Sequence, residues 1–252
     1  YIVQCNGLEV GMTRSPSAFP KQAPFAVVVR CSDARVPTEM LFGQGFNDLF
    51  VIRVAGNVLG DECLGSIDFA LSALSESVKV VVVLGHSRCG AVTGAVDAYL
   101  NPLKFWAKST STMLRSILQR IFVAVREAAN GMDAVWGPQI REHPAYREVL
   151  IDASVSINAA QTAYNINLEV ERAGKWEIDV LYGVFDLGNH RVTSPQRTND
   201  GSQNGSAGLA YAPTNPRDFQ ALARELAESY RPRLLERDSA HRAAPTLTGI
   251  SQ

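Results

Sequence analysis

Long hydrophobic runs are missing from this sequence. The longest are strand-sized, as in Val80-Val81-Val82-Val83-Leu84, far short of the roughly 20 apolar residues that a bilayer-spanning helix needs, so no membrane span is expected. An excess of either charge is missing too. Lysine and arginine number 24 against 25 acidic residues, a formal net charge of −1, which offers no field for gathering nucleic acid or an anionic membrane. Tyr1–Val10 lacks the basic start and apolar stretch of a secretory signal. Since the first residue is tyrosine rather than methionine, a targeting segment removed from the chain stays compatible with the sequence. Cysteine is scarce, at positions 5, 31, 63 and 89 only. A chain of 252 residues is too long to need disulfide staples, so these read as thiols of a reducing, cytoplasmic compartment. What remains is a globular composition, 46% hydrophobic and 19% charged, suited to one substantial core and a small-molecule partner.

Phe25–Arg30, Leu49–Val54 and Val78–Leu84 are short, β-branched runs bounded by turn residues, the pattern of buried parallel strands. Between the last two, Asp61–Ser77 carries Leu64, Ile67, Phe69, Ala70, Leu71 and Leu74 at helical spacing, which completes a βαβ unit. Helical patterns follow from Cys89 to about Leu100, over Ser111–Ala129 with a stop at Asn130-Gly131, and over Ala145–Ala173; Ile178–Asp186 returns to strand. This alternation predicts a doubly wound α/β sheet with its ligand beyond the carboxyl ends of the strands. Thr193–Pro216 is rich in Ser, Asn, Gly, Pro, Gln and Thr and reads as an extended arm. Asn215-Pro216 then opens a helix with Phe219, Leu222, Ala223, Leu226 and Tyr230 in one stripe, so the tail is expected to dock on something apolar. The division expected is a catalytic domain over 1–193 and a C-terminal extension over 194–252.

Gly85-His86-Ser87-Arg88-Cys89-Gly90 follows the third strand. An H-x-x-C spacing lets both side chains meet one metal ion, and a helix N-terminus at Cys89 favours its thiolate. Taken alone the pair reads equally well as a core thiol and a hydrogen-bonded turn histidine. A catalytic zinc site commonly has three protein ligands and an open position. Cys31, at the end of the first strand, can be the third, because neighbouring parallel strands end side by side. Two thiolates and a neutral imidazole leave a formally neutral zinc site, so a bound water needs help in losing its proton. Asp33 can orient that water if Arg35 keeps the carboxylate ionised; the plainer reading of these two is an exposed ion pair worth about 0–1 kcal/mol.

At these residues the chain resembles the β-class carbonic anhydrases, whose signature is C-x-D-x-R after one strand and H-x-x-C after another. Cys31-Ser32-Asp33-Ala34-Arg35 and His86-Ser87-Arg88-Cys89 match it, and Arg53-Val54-Ala55-Gly56-Asn57 is similar to the family's R-x-x-x-N stretch. The resemblance, from about Gln22 to Thr193, implies a mixed sheet on four parallel strands flanked by helices. It also implies one Zn2+ per chain on Cys31, His86 and Cys89, and an obligate homodimer or dimer-based oligomer. It further implies reversible hydration of carbon dioxide to bicarbonate and a proton by zinc-bound hydroxide. Asp33 would either orient the zinc water while paired to Arg35 or swing in as a fourth ligand in a closed state. Gln22 matches a substrate-bonding glutamine that acts across the dimer boundary, and Phe50, Ala55 and Gly56 match walls of the carbon dioxide pocket, the Gly56 amide steadying the oxygens. Plainer readings make Gln22 a loop residue and Phe50 ordinary core.

Three departures stand out. Phe69 replaces an aromatic hydroxyl, and Val28 replaces a tryptophan of the bicarbonate-regulated members. Asn101–Pro144 and the tail after Thr193 match no familiar element. Two alternatives stay open: a sister zinc hydrolase acting on carbonyl sulfide or carbon disulfide, and a non-catalytic zinc-binding assembly module. His143, His190 and His241 read as surface residues rather than proton shuttles.

Overall fold

The structure, a computed structural model, describes residues 21–106, 111–174, 177–194 and 208–235; Cys5, His241 and the 195–207 part of the arm lie outside them. The short apolar runs are strands, two of them buried on both faces. They are β1 (Ala26–Arg30), buried along its whole length, β2 (Leu49–Arg53) and β3 (Val80–His86), buried beyond its first residue. Together with β4 (Asp179–Phe185) they form the parallel array β2-β1-β3-β4. In register, Arg30 lies beside Arg53 on one side and Leu84 on the other, and His86 lies beside Phe185. The chain leaves β1 for β2 on one side and later continues through β3 and β4 on the other. The carboxyl ends of β1 and β3 therefore flank a topological switch point, where open α/β sheets bind ligands.

Beyond β4 the sheet becomes mixed. β5 (Val192–Thr193) pairs antiparallel with Val184 and Phe185, and β6 (Ala210–Tyr211) with Leu181 and Tyr182. Both stubs come from the ends of the polar arm.

The connecting helices are α1 (Thr38–Phe42), α2 (Asp61–Ala73), α3 (Gly90–Leu100), α4 (Pro102–Phe105), α5 (Thr112–Trp136) and α6 (Tyr146–Ala173). The stretch 101–144 thus holds α4, α5 and a short 3-10 turn at Pro138–Glu142. Most of α6 is buried, because it runs between β3 and β4 on one side and α3, α5 and α7 (Pro216–Ser229) on others. Its apolar residues join those of β1, β3, α3, α5 and α7 in one main core. A smaller cluster of Val36, Leu84 and Phe185 packs with Leu41, Phe42, Leu187 and Val192. None of the helices among the described residues is long and apolar enough to cross a membrane.

The stop expected at Asn130-Gly131 does not occur; α5 continues to Trp136. Gly131 is there for closeness. A Cβ added to it would stand 2.6 Å from the Ala223 backbone of α7, so the glycine marks a helix crossing rather than a helix end. The apolar stripe of the last helix is used within the chain. Leu222, Ala223, Leu226 and Ala227 are buried against α5 and α6, and Trp136 Nε1 donates to the Ala227 carbonyl at 3.2 Å. Asn215 and Asp218 form a capping box and Pro216 occupies the first turn, the start signal its sequence announces.

Candidate metal centre

Cys31 leaves β1, His86 closes β3, and Cys89 precedes the first residue of α3. All three are buried, with ligand atoms within 4.8 Å of one another. His86 and Cys89 converge because the turn between them is tight, with Arg88 in the left-handed region at φ 56°, an uncommon conformation for a residue with a Cβ. The Cys31 and Cys89 sulfurs are 3.9 Å apart. Tetrahedral zinc with bonds of ~2.3 Å would set two sulfurs ~3.8 Å apart. His86 Nδ1 is 3.0 Å from the Ser87 carbonyl, and an Nδ1–H donated there leaves the Nε2 lone pair to a metal. Nε2 is buried and has no hydrogen-bond partner. One imidazole and two thiols suit zinc in donor chemistry as well.

The electrostatics favour an anionic ligand at Cys31. The hydrogen bond with Cys89 first, then the neighbouring His86 ring and the Gly56 and Asp33 backbone, hold its thiol down to about 4 against the opposing effect of burial. Cys89 is pushed up, first by its hydrogen bond to Cys31 and then by burial, while the Val92 and Ala91 amides at the start of α3 pull the other way.

Asp33 lies over this group, its Oδ2 3.8 Å from His86 Nε2. Arg35 holds it in a bidentate grip, Nε to Oδ1 at 3.0 Å and Nη2 to Oδ2 at 2.7 Å, and the Arg35 amide adds 2.9 Å to Oδ1. The Arg35 side chain, more than any other neighbour, keeps the Asp33 carboxyl well below the usual carboxylate range.

Gly56 sits in a 3-10 turn, Ala55–Asn57, with φ 67°, and a Cβ there would come 2.9 Å from Ile121 and 3.0 Å from Ala91. Its amide donates to Cys31 Sγ at 3.3 Å, so it serves a sulfur of the candidate metal group. The other positions read from sequence are more scattered. Ala55 shares the turn. Phe50, on β2, pairs with Val27 of β1 and packs against Phe69, about 10 Å of strand before Arg53. Gln22 is exposed ahead of β1, at the amino end of the sheet and roughly 30 Å of extended chain from Cys31. Within one chain it does not join the metal group.

Three residues escaped sequence reasoning. Arg30 looked like the polar end of a strand, yet it is 1% exposed. It donates from Nε to Thr38 Oγ1 and from Nη1 to the Cys31 and Asp33 carbonyls at 2.9 and 3.2 Å. Asn158 and Thr162, one helical turn apart on α6, donate to the Gly56 and Asn57 carbonyls at 2.8 and 3.0 Å. Two buried polar residues spaced by four on an apolar helix were the available signal.

Fold and site together define an α/β protein with a cysteine, histidine and cysteine group able to hold a metal ion at a sheet switch point. The chain belongs to the carbonic anhydrase family, whose sequence profile matches residues 26–192. A carbonic anhydrase of Mycolicibacterium smegmatis is 47% identical over 88 residues, 35% of this chain and 42% of that protein. Carbonic anhydrase 2 of Mycobacterium tuberculosis is 48% identical over 77 residues, 31% and 36% of the two chains. The chain thus spans less than half the length of these curated relatives. A tetrameric β-carbonic anhydrase of Sordaria macrospora shares the fold with a TM-score of 0.52 at 23% identity, over 68% of this chain and 80% of that one. The β-carbonic anhydrase CcaA does so with a TM-score of 0.57 at 22% identity, over 79% and 84%.

Proposed function

We propose that the protein catalyses reversible hydration of carbon dioxide to bicarbonate and a proton, with Cys31, His86 and Cys89 holding one zinc ion per chain. The observation that carries this reading is Asp33, held open by Arg35 with Oδ2 3.8 Å from His86 Nε2. Zinc bound there would supply a Lewis acid that lowers the pKa of water. The remaining work falls to the chain's own groups. Asp33, kept anionic by Arg35, accepts a hydrogen bond from the attacking water and turns its lone pair toward carbon. The Gly56 amide stabilises the Cys31 thiolate, and the same turn, with Ala55, walls the substrate space. The closed alternative has Asp33 turn from Arg35 onto the metal position. Gln22 would reach the site of another copy, so the working unit is a homodimer or a dimer-based oligomer. Its compartment is the cytoplasm, where the thiols stay reduced.

The test is zinc content and carbon dioxide hydration of the purified protein beside two variants. Cys31→Ser is expected to lose stoichiometric zinc together with activity, whereas Asp33→Ala keeps the metal and loses turnover. A Cys31→Ser protein with full zinc and full hydration would sink the assignment, and parallel assays with carbonyl sulfide distinguish the sister hydrolase.

A further inference from the structure

We infer that Arg30 is a positioning residue that aims Asp33 by fixing the backbone of the Cys31–Asp33 loop, an inference that rests on the zinc reading above. A guanidinium so deeply buried is costly unless its donors are met. An aliphatic side chain could fill the same end of β1. What it could not do is hold three acceptors at once, and the planar fork of arginine does so: the Thr38 hydroxyl on α1, the carbonyl of the ligand Cys31 at 2.9 Å, and that of Asp33 at 3.2 Å. Arg53 stands beside it in register on β2 and donates to the Ser32 and Asp33 carbonyls at 3.1 and 3.2 Å.

Each carbonyl of the loop from Cys31 to Asp33 is therefore held from behind by a guanidinium, and that of Asp33 by two. With its main chain pinned on one side and its carboxylate gripped by Arg35 on the other, Asp33 is held in the orientation that faces Arg35. Releasing the main chain lets the carboxylate re-aim toward His86 Nε2, only 3.8 Å from Oδ2, and so toward the metal position. Arg30 touches neither substrate nor metal; it acts through Asp33.

The experiment compares wild type, Arg30→Gln and Arg30→Lys, each loaded with zinc for kinetics and with cobalt for its visible absorption. Arg30→Gln is expected to bind one metal per chain, with shifted cobalt bands. Its kcat should fall about ten- to a hundred-fold, the cost typical of a residue supporting a metal site, with KM within about twofold of wild type, the signature of a lost transition-state interaction. Arg30→Lys recovers part of both changes. Wild-type cobalt bands in Arg30→Gln overturn the inference, as does a fall in kcat that only follows lost metal. If Arg30→Gln does not fold, Thr38→Val decides, because it removes the hydroxyl that Arg30 Nε donates to. Shifted bands in it support the inference, and wild-type bands overturn it. Should wild type bind zinc without hydrating carbon dioxide, the proposed reaction fails while the cobalt bands still report on Arg30.

Discussion

Asp33 keeps its charge because Arg35 lies against both of its oxygens, and the sign of the resulting pH dependence follows. A carboxyl whose pKa is lower in the folded state than in the unfolded one contributes stability that is complete above the unfolded value, about 3.9, and is lost as pH falls through the folded value. In metal-free protein the difference in urea midpoint between wild type and Asp33→Asn should therefore stay constant from pH 7 to about 5 and shrink below about 4. A difference that grows toward acid would contradict the pairing. The same residue separates what sequence can and cannot show. C-x-D-x-R places Asp33 near Cys31 and names its partner. Nothing in the linear order says that Arg30, one position before Cys31, turns back to hold the carbonyls of the loop that follows it.

Elements were legible in proportion to how local their causes are. The cores of β1 and β3 follow from β-branched runs buried on both faces, β2 from a short apolar run that is only partly buried, and α6 from an uninterrupted apolar pattern ended by Gly174 in the left-handed region. The end of α5 was not legible, because Gly131 reports on Ala223, 92 positions away in sequence and 2.6 Å from where its Cβ would stand. That contact predicts the outcome of Gly131→Ala. Better helix propensity favours alanine by about 1 kcal/mol, while forcing a methyl into backbone costs roughly 1–3 kcal/mol. Ala223 presents its carbonyl carbon, oxygen and Cβ at that distance, and backbone cannot turn aside as a long side chain would. The expected result is a net loss on the order of 1–2 kcal/mol in urea unfolding, with earlier proteolysis of α7. A stabilised variant would show that the crossing is loose.

For the molecule as a whole, the candidate metal centre joins segments far apart in sequence: the end of β1, the end of β3 and the start of α3. A ligand that binds only this assembled state stabilises all of it, by about 2.7 kcal/mol when free zinc is at a hundred times its dissociation constant. In a chain of this size that corresponds to roughly 5–10 °C in Tm. Treatment with a chelator should lower Tm by about that amount, and restored zinc should bring it back. An unchanged Tm would mean that the three side chains do not hold the metal tightly. The far edge of the sheet has a different consequence. β5 and β6 each meet β4 over two residues, so among the described residues the pairing beyond β4 consists of two stubs instead of one long strand. Short edges offer little template for another chain to extend by hydrogen bonding, and this side of the molecule is thereby guarded against fibril-like growth at high concentration.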